Sequence, residues 1–241
     1  MIERIHSRVG YEWRHVVHEY IYWIAEGSEK RKWVDEIVMD HWPDPNKSRE
    51  GYLPLLERAR EEEPENDRNS HYLGREYMYK QRWNKAIAEL KRHLSLPSAK
   101  WDMERAASCR FISRCYNSLK DAPNRIKWLM HATAEAPHIR EPWVELSQAY
   151  YDNLDYVGCL FAAMKAIAIT VRPKSYLTEQ AHWGSWPYDL GSMGAFKIGW
   201  HDLAVFYISK AKELAPNDQR ITKNMVFMVD ALVKKSTSAI D

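Results

Sequence analysis

The chain has 241 residues, and its 35 Lys and Arg against 33 Asp and Glu leave a net charge of +2, which excludes the dense basic footprint of a nucleic-acid-binding protein. No run of about 18 apolar residues occurs, and the first residues mix charge with aromatics, so neither a membrane span nor a secretory leader is predicted and the expected location is the cytoplasm. The three cysteines, Cys109, Cys115 and Cys159, have no CxxC or Cys/His spacing, so a disulfide frame and a cysteine-based zinc site are both excluded.

Residues 1–45 do not follow a helical period. Tyr11 and Trp13, then Val17, Glu19, Ile21 and Trp23, alternate as in strands, and so do Ile37, Met39 and His41, with a turn at residues 27–30. A short β-hairpin segment is predicted here, marginal alone and in need of support from the rest of the chain or from another chain. Residues 41–48 form a breaker-rich linker, and residues 51–63 carry a helical stripe of Leu53, Leu56 and Ala59 that Asp44 or Ser48 would cap.

From there to residue 216 one pattern returns. Leu73-Gly74-x-x-Tyr77, Ile112-Ser113-x-x-Tyr116, Leu146-Ser147-x-x-Tyr150 and the looser Gly191-Ser192-x-x-Ala195 each precede a second apolar helix. Three of the four units close on proline, at Pro97, Pro137 and Pro216. A small residue where paired helices touch, an aromatic one turn later and a terminal proline mark the tetratricopeptide class of helix-hairpin repeat. The predicted units cover about 69–95, 103–137, 140–171 and 186–216, and a last helix through Ile221, Met225, Met228 and Leu232 caps the array before a polar tail. The expected fold is mainly α: residues 1–45 strand-rich, 46–235 a tetratricopeptide-type solenoid and 236–241 a flexible tail.

The longest irregular insertion separates the third and fourth units, around residues 172–186. His182, Trp183 and Trp186, with Tyr188 and Asp189 just beyond, set aromatic faces beside polar groups, a mixture suited to a sugar or nucleobase and equally to plugging a widened gap between repeats.

The stretch from Glu3 to Glu19 holds Arg4, Arg8, Gly10, Tyr11, Trp13, Val17, His18 and Glu19. It resembles the end of the catalytic domain in family 2 glycosyltransferases that carry carboxy-terminal tetratricopeptide repeats, and the resemblance continues through the repeats to the Trp-Pro-Tyr-Asp element at residues 186–189. It implies that His18 approaches a divalent metal, manganese or magnesium, and the diphosphate of a nucleotide sugar, with catalytic His18 and Glu19 and with Trp13 shaping the acceptor side. The nucleotide-sugar core of that family is absent: there is no DxD triplet before the linker and no series of parallel strands. The resemblance therefore implies a repeat-bearing part that is inactive alone, needs no cofactor by itself and works with a separate catalytic chain.

The alternative is a stand-alone scaffold that binds a protein or peptide in the concave groove of the array. The first helix of each unit would line that groove, through Asn69, Tyr72, Arg75, Tyr79, Arg110, Arg114 and Asn117. Arg110 and Arg114 lie one helical turn apart, where they would hold an acidic ligand or form an ordinary solvated face with intrahelical pairs. A third reading, a hydrolase or metal enzyme built on the histidines, is disfavoured because no HExxH, GxSxG, P-loop or GxGxxG motif occurs.

Overall fold

The computed structural model describes residues 6–14, 20–30, 32 and 51–237. It contains a two-stranded antiparallel hairpin, β1 (Tyr11–Arg14) and β2 (Tyr20–Trp23), followed by α1 (Tyr52–Glu62), α2 (Asp67–Tyr79), α3 (Trp83–Ser95), α4 (Asp102–Ser118), α5 (Ala122–Glu135), α6 (Arg140–Asp152), α7 (Tyr156–Ala168), α8 (Trp186–Lys197), α9 (His201–Leu214) and α10 (Gln219–Thr237).

Tyr11 pairs with Trp23, Trp13 with Ile21 and Arg14 with Tyr20, so the two strands run antiparallel. The pairing puts Tyr11, Trp13, Ile21 and Trp23 on one face, as alternation requires. The expected strand over residues 37–41 and the caps at Asp44 and Ser48 lie outside the described residues, and Gly51, without a side-chain hydrogen bond, stands at the cap of α1.

The helices pair as α2/α3, α4/α5, α6/α7 and α8/α9, and the contact inside each pair depends on one small residue. A Cβ at Gly74 would stand 2.5 Å from Leu90 Cγ, so only hydrogen fits between α2 and α3. In the second and third units the equivalent residue is a serine whose hydroxyl donates to the facing helix, Ser113 to the Arg125 carbonyl at 3.0 Å and Ser147 to the Cys159 carbonyl at 2.8 Å, whereas Ser192 of the fourth donates within its own helix to the Asp189 carbonyl at 2.7 Å. Seven residues after the small residue, each pair turns through one left-handed position, Gln81, Lys120, Leu154 and Gly199. The next amide then reaches back across the turn, Arg82 to Tyr77, Asp121 to Tyr116, Asp155 to Tyr150 and Trp200 to Ala195, closing a Schellman motif four times. Asp121 and Asp155 cap the helices that follow by accepting from Asn124 and Gly158 backbone amides.

The core is a row of clusters along the array. Leu56, Leu73, Leu90 and Ile112 fill one end, Leu129, Leu146 and Ala163 the middle, and Ile208, Ile221 and Met228 the other end. Each fully buried side chain of this kind contributes about 1.5–3 kcal/mol. Leu53, Leu56 and Ala59 seal α1 onto the first pair, while α10 closes the last one with Ile221 and Met228, as a solenoid requires of its ends. The three cysteines are buried and unpaired, and burial pushes Cys109 and Cys115 up to about 12 and Cys159 to about 11, so they are inert packing groups.

Candidate functional site

Direct contacts run from α2 to α4, from α4 to α6 and from α6 to α8, and no comparable contact joins α3, α5, α7 and α9 to one another among the described residues. The first helices of the pairs are therefore the closer-spaced, inner set, and they line the concave face. Residues 169–185, which connect α7 to α8, cross this face as a strap. The Tyr176 hydroxyl accepts from Tyr72 of α2 at 3.3 Å and donates to Glu104 of α4 at 2.8 Å. Leu177 is buried in the core cluster of α2 and α4, and a single 3-10 turn, Gln180–Trp183, rests on α6 and α8.

At the centre of the strap is a network of ion pairs. Arg110 donates from Nε and Nη2 to Glu145 Oε1 at 2.9 and 2.6 Å and also reaches Glu179, and Arg114 bonds both carboxylates, at 2.9 and 3.0 Å to Glu179. Arg110 is 1% exposed, so its charge is held entirely by these partners. Burial would raise the Glu145 carboxyl, but Arg110 and Arg114 overcome it and hold the group well below the usual carboxylate range. Glu179 is lowered by the same two guanidinium groups against the same burial. His182, itself buried, has Nε2 3.5 Å from Glu145 Oε1 and Nδ1 3.9 Å from Glu179 Oε2, and its ring lies 4.9 Å from that of Trp186. Although Glu145, Glu179 and His182 are grouped closely enough to ligate an ion, two guanidinium charges already neutralise the carboxylates, so the group does not fit a metal.

Beside this network is a cleft of about 300 Å³ lined by Arg114, Asn117, Glu145, Gln148, His182 and Trp186 among others. Asn117 is exposed at its edge. Trp186 Nε1 donates to Gln148 Oε1 at 3.1 Å, fixing one wall.

The predicted site residues separate into groups. Arg110, Arg114, His182 and Trp186 meet in one place, but the arginines hold the protein's own carboxylates, which corrects the expectation that they await an acidic ligand. Trp183 donates to Glu141 Oε1 at 2.9 Å under the Arg140 guanidinium, 4.5 Å from its ring, and so fills the gap between repeats. Tyr188 packs towards Tyr207, and Asp189 accepts from both Nη atoms of Arg220 at 3.1 and 2.8 Å, locking α10 onto α8. Neither Tyr188 nor Asp189 lines the cleft. Asn69 is structural, donating to the Ala59 carbonyl at 2.9 Å. Tyr72 is covered by the strap, Arg75 lies 4.7 Å from the centre of its ring, and Tyr79 is exposed. Trp13, on β1, is 62% exposed. His18 and Glu19 lie outside the described residues. Sequence reasoning missed Glu141, Glu145, Gln148 and Glu179; the readable signal was the spacing of Glu141 and Glu145, one turn apart on the helix next to the Arg110/Arg114 pair.

No protein-family model and no curated protein matches the chain, so the glycosyltransferase resemblance of residues 3–19 gains no support. Solved structures do match. The chain is similar to MamA, at 20% identity over 70% of this chain and 90% of that one, with a TM-score of 0.55. It is similar to MamA from Desulfovibrio magneticus RS-1, at 12% identity over 72% and 89%, with a TM-score of 0.55. It is also similar to YrrB, described as a TPR protein with an unusual peptide-binding site, at 12% identity over 72% and 81%, with a TM-score of 0.54. At these identities the likeness establishes the fold: a tetratricopeptide-type solenoid with a small hairpin.

Proposed function

We propose that this protein is a binding scaffold that holds an extended segment of a partner protein along its concave face. The observation that carries the reading is the cleft between α4, α6 and the strap, open beside a rigid ion-pair floor. The Asn117 side-chain amide has no partner among the described residues and offers both a donor and an acceptor to a peptide backbone. Because Arg110 and Arg114 are already neutralised, the cleft favours a polar, uncharged segment over an acidic tail. The unusual peptide-binding site of YrrB is in keeping with this use of the fold. Peptides selected from a random display library should bind the wild-type chain, weaken at least tenfold with Asn117→Ala, and slow hydrogen exchange in α4 and α6. Exchange protection confined to α5 and α7, or affinity unchanged by the substitution, would reject the reading.

A second reading rests on the hairpin, where Val9, Trp13 and Ile24 are each more than half exposed. This apolar surface suits contact with a separate glycosyltransferase catalytic chain, as the resemblance of residues 3–19 implies. Calorimetry with UDP and GDP sugars and manganese tests it: metal-dependent binding lost in His18→Ala supports it. Absence of binding by this chain, alone and mixed with a nucleotide-sugar catalytic domain of that family, removes it.

A further inference from the structure

A second polar cluster lies under the other end of the strap, where α2, α3 and α4 meet. His71, His93 and Ser108 are fully buried and Glu104 is 3% exposed. The Ser108 hydroxyl sits between two imidazoles, 2.8 Å from His71 Nδ1 and 2.9 Å from His93 Nδ1. One hydroxyl oxygen has two lone pairs and can accept from both Nδ1–H groups, an arrangement that leaves the lone pair of each Nε2 free. Both Nε2 atoms are buried and make no hydrogen bond among the described residues. His93 Nε2 approaches Glu104 Oε1 only to 3.5 Å, while the other Glu104 oxygen accepts from the Tyr176 hydroxyl at 2.8 Å.

The charge balance here differs from that of the Arg110 network. Among the described residues Glu104 has no lysine or arginine within ion-pair distance, and Arg68 senses its charge only from farther off.

The repeat pattern singles out the same place. At the position where the second, third and fourth units bury Ala132, Ala166 and Ala211, the first unit buries His93. A polar ring that makes no hydrogen bond at one of its nitrogens has displaced the residue the packing prefers, and burying such a group costs about 1–3 kcal/mol.

We propose that His71, His93 and Glu104 form a site for a divalent first-row transition ion of the zinc class, which ties the first two repeats together. One nitrogen of each ring and one carboxylate oxygen lie within 4.8 Å of one another. The 3.5 Å between His93 Nε2 and Glu104 Oε1 is close to the edge of a tetrahedron with bonds of about 2.1 Å. Two imidazoles and a carboxylate form a borderline donor set that suits zinc over magnesium or calcium. Ser108 and Tyr176 supply the outer hydrogen bonds that orient such ligands. Three protein ligands leave one position for water.

The test uses the full chain without a histidine tag, refolded with zinc because the ligands are buried, and then dialysed against metal-free buffer. The expected results are one zinc per chain, a cobalt(II)-substituted form with the intense visible bands of a four-coordinate site, and a Tm that falls on chelation and is indifferent to magnesium. His93→Ala, which restores the residue of the other repeats, should lose the zinc and the response to chelator while staying folded by circular dichroism. Wild-type protein that retains no zinc and melts at the same temperature with zinc and with chelator overturns the proposal. Equal zinc in wild type and His93→Ala also overturns it, and should His93→Ala not fold, the cobalt spectrum and zinc content of the wild-type chain decide.

Discussion

Two buried polar clusters lie beside one another along α4, beneath the same strap, and they are balanced in different ways. Around Arg110, two guanidinium groups meet Glu145 and Glu179, so the charges cancel within the chain. Around Glu104, one carboxylate faces two histidines that share a single serine hydroxyl, and both rings keep a nitrogen without a hydrogen bond. The first cluster is complete as a piece of structure. The second has the composition of a site with something still to bind.

The largest expected effect breaks the first cluster at its most buried member. Arg110→Ala leaves Glu145 buried with Arg114 alone, and chemical denaturation should report a loss of about 3–5 kcal/mol. In the second cluster Ser108→Ala strands two Nδ1 atoms, and in metal-free protein the same measurement should show about 1–3 kcal/mol. Acid sharpens the contrast further. Glu145 and Glu179 are both lowered in the folded state, so their contribution is fully present above the ordinary carboxylate value of about 4.3 and is lost as the pH falls through their depressed values. The protection factors of amides around residues 175–185, measured against intrinsic exchange at each pH, should therefore fall below that pH, and they should fall at higher pH in Arg114→Ala, where one of the two lowering charges is gone. The smallest effect lies outside both clusters and has the opposite sign. Leu154→Gly relieves a left-handed residue at the turn between α6 and α7 and should raise stability by about 0.5–1 kcal/mol in a thermal melt.

The repeats were legible because their physics is local. Gly74, Ser113 and Ser147 each stand at a fixed distance from an aromatic and from the turn that follows, so a short window of sequence contains the whole helix pair. The ion-pair network was half legible. Arg110 and Arg114 are visible as neighbours on one helix, but their partners come from α6 and from the strap, 35 and 69 residues away, and no local spacing signals that. The tryptophans of the insertion were readable as ligand stackers or as gap fillers. Their indole donors are spent on Glu141 and Gln148, which fixes both rings in the gap between repeats, while Trp186 also lines the cleft. His93 carried a signal in the alignment of the units with one another, since an alanine column with one histidine in it is an anomaly that needs no tertiary information. In the hairpin, alternation gave the faces correctly but not the pairing register, because a period-two pattern looks the same on both sides of a reversal.

The strap also changes how this array folds. A repeat solenoid ordinarily behaves as a one-dimensional chain of nearest neighbours, in which each unit feels only the next and unfolding frays inward from either end. Here Tyr72 is bonded to Tyr176, 104 residues later in sequence. That contact closes a loop around the second and third units, raises the contact order of an otherwise local fold and makes the first repeat depend on chain synthesised after the third.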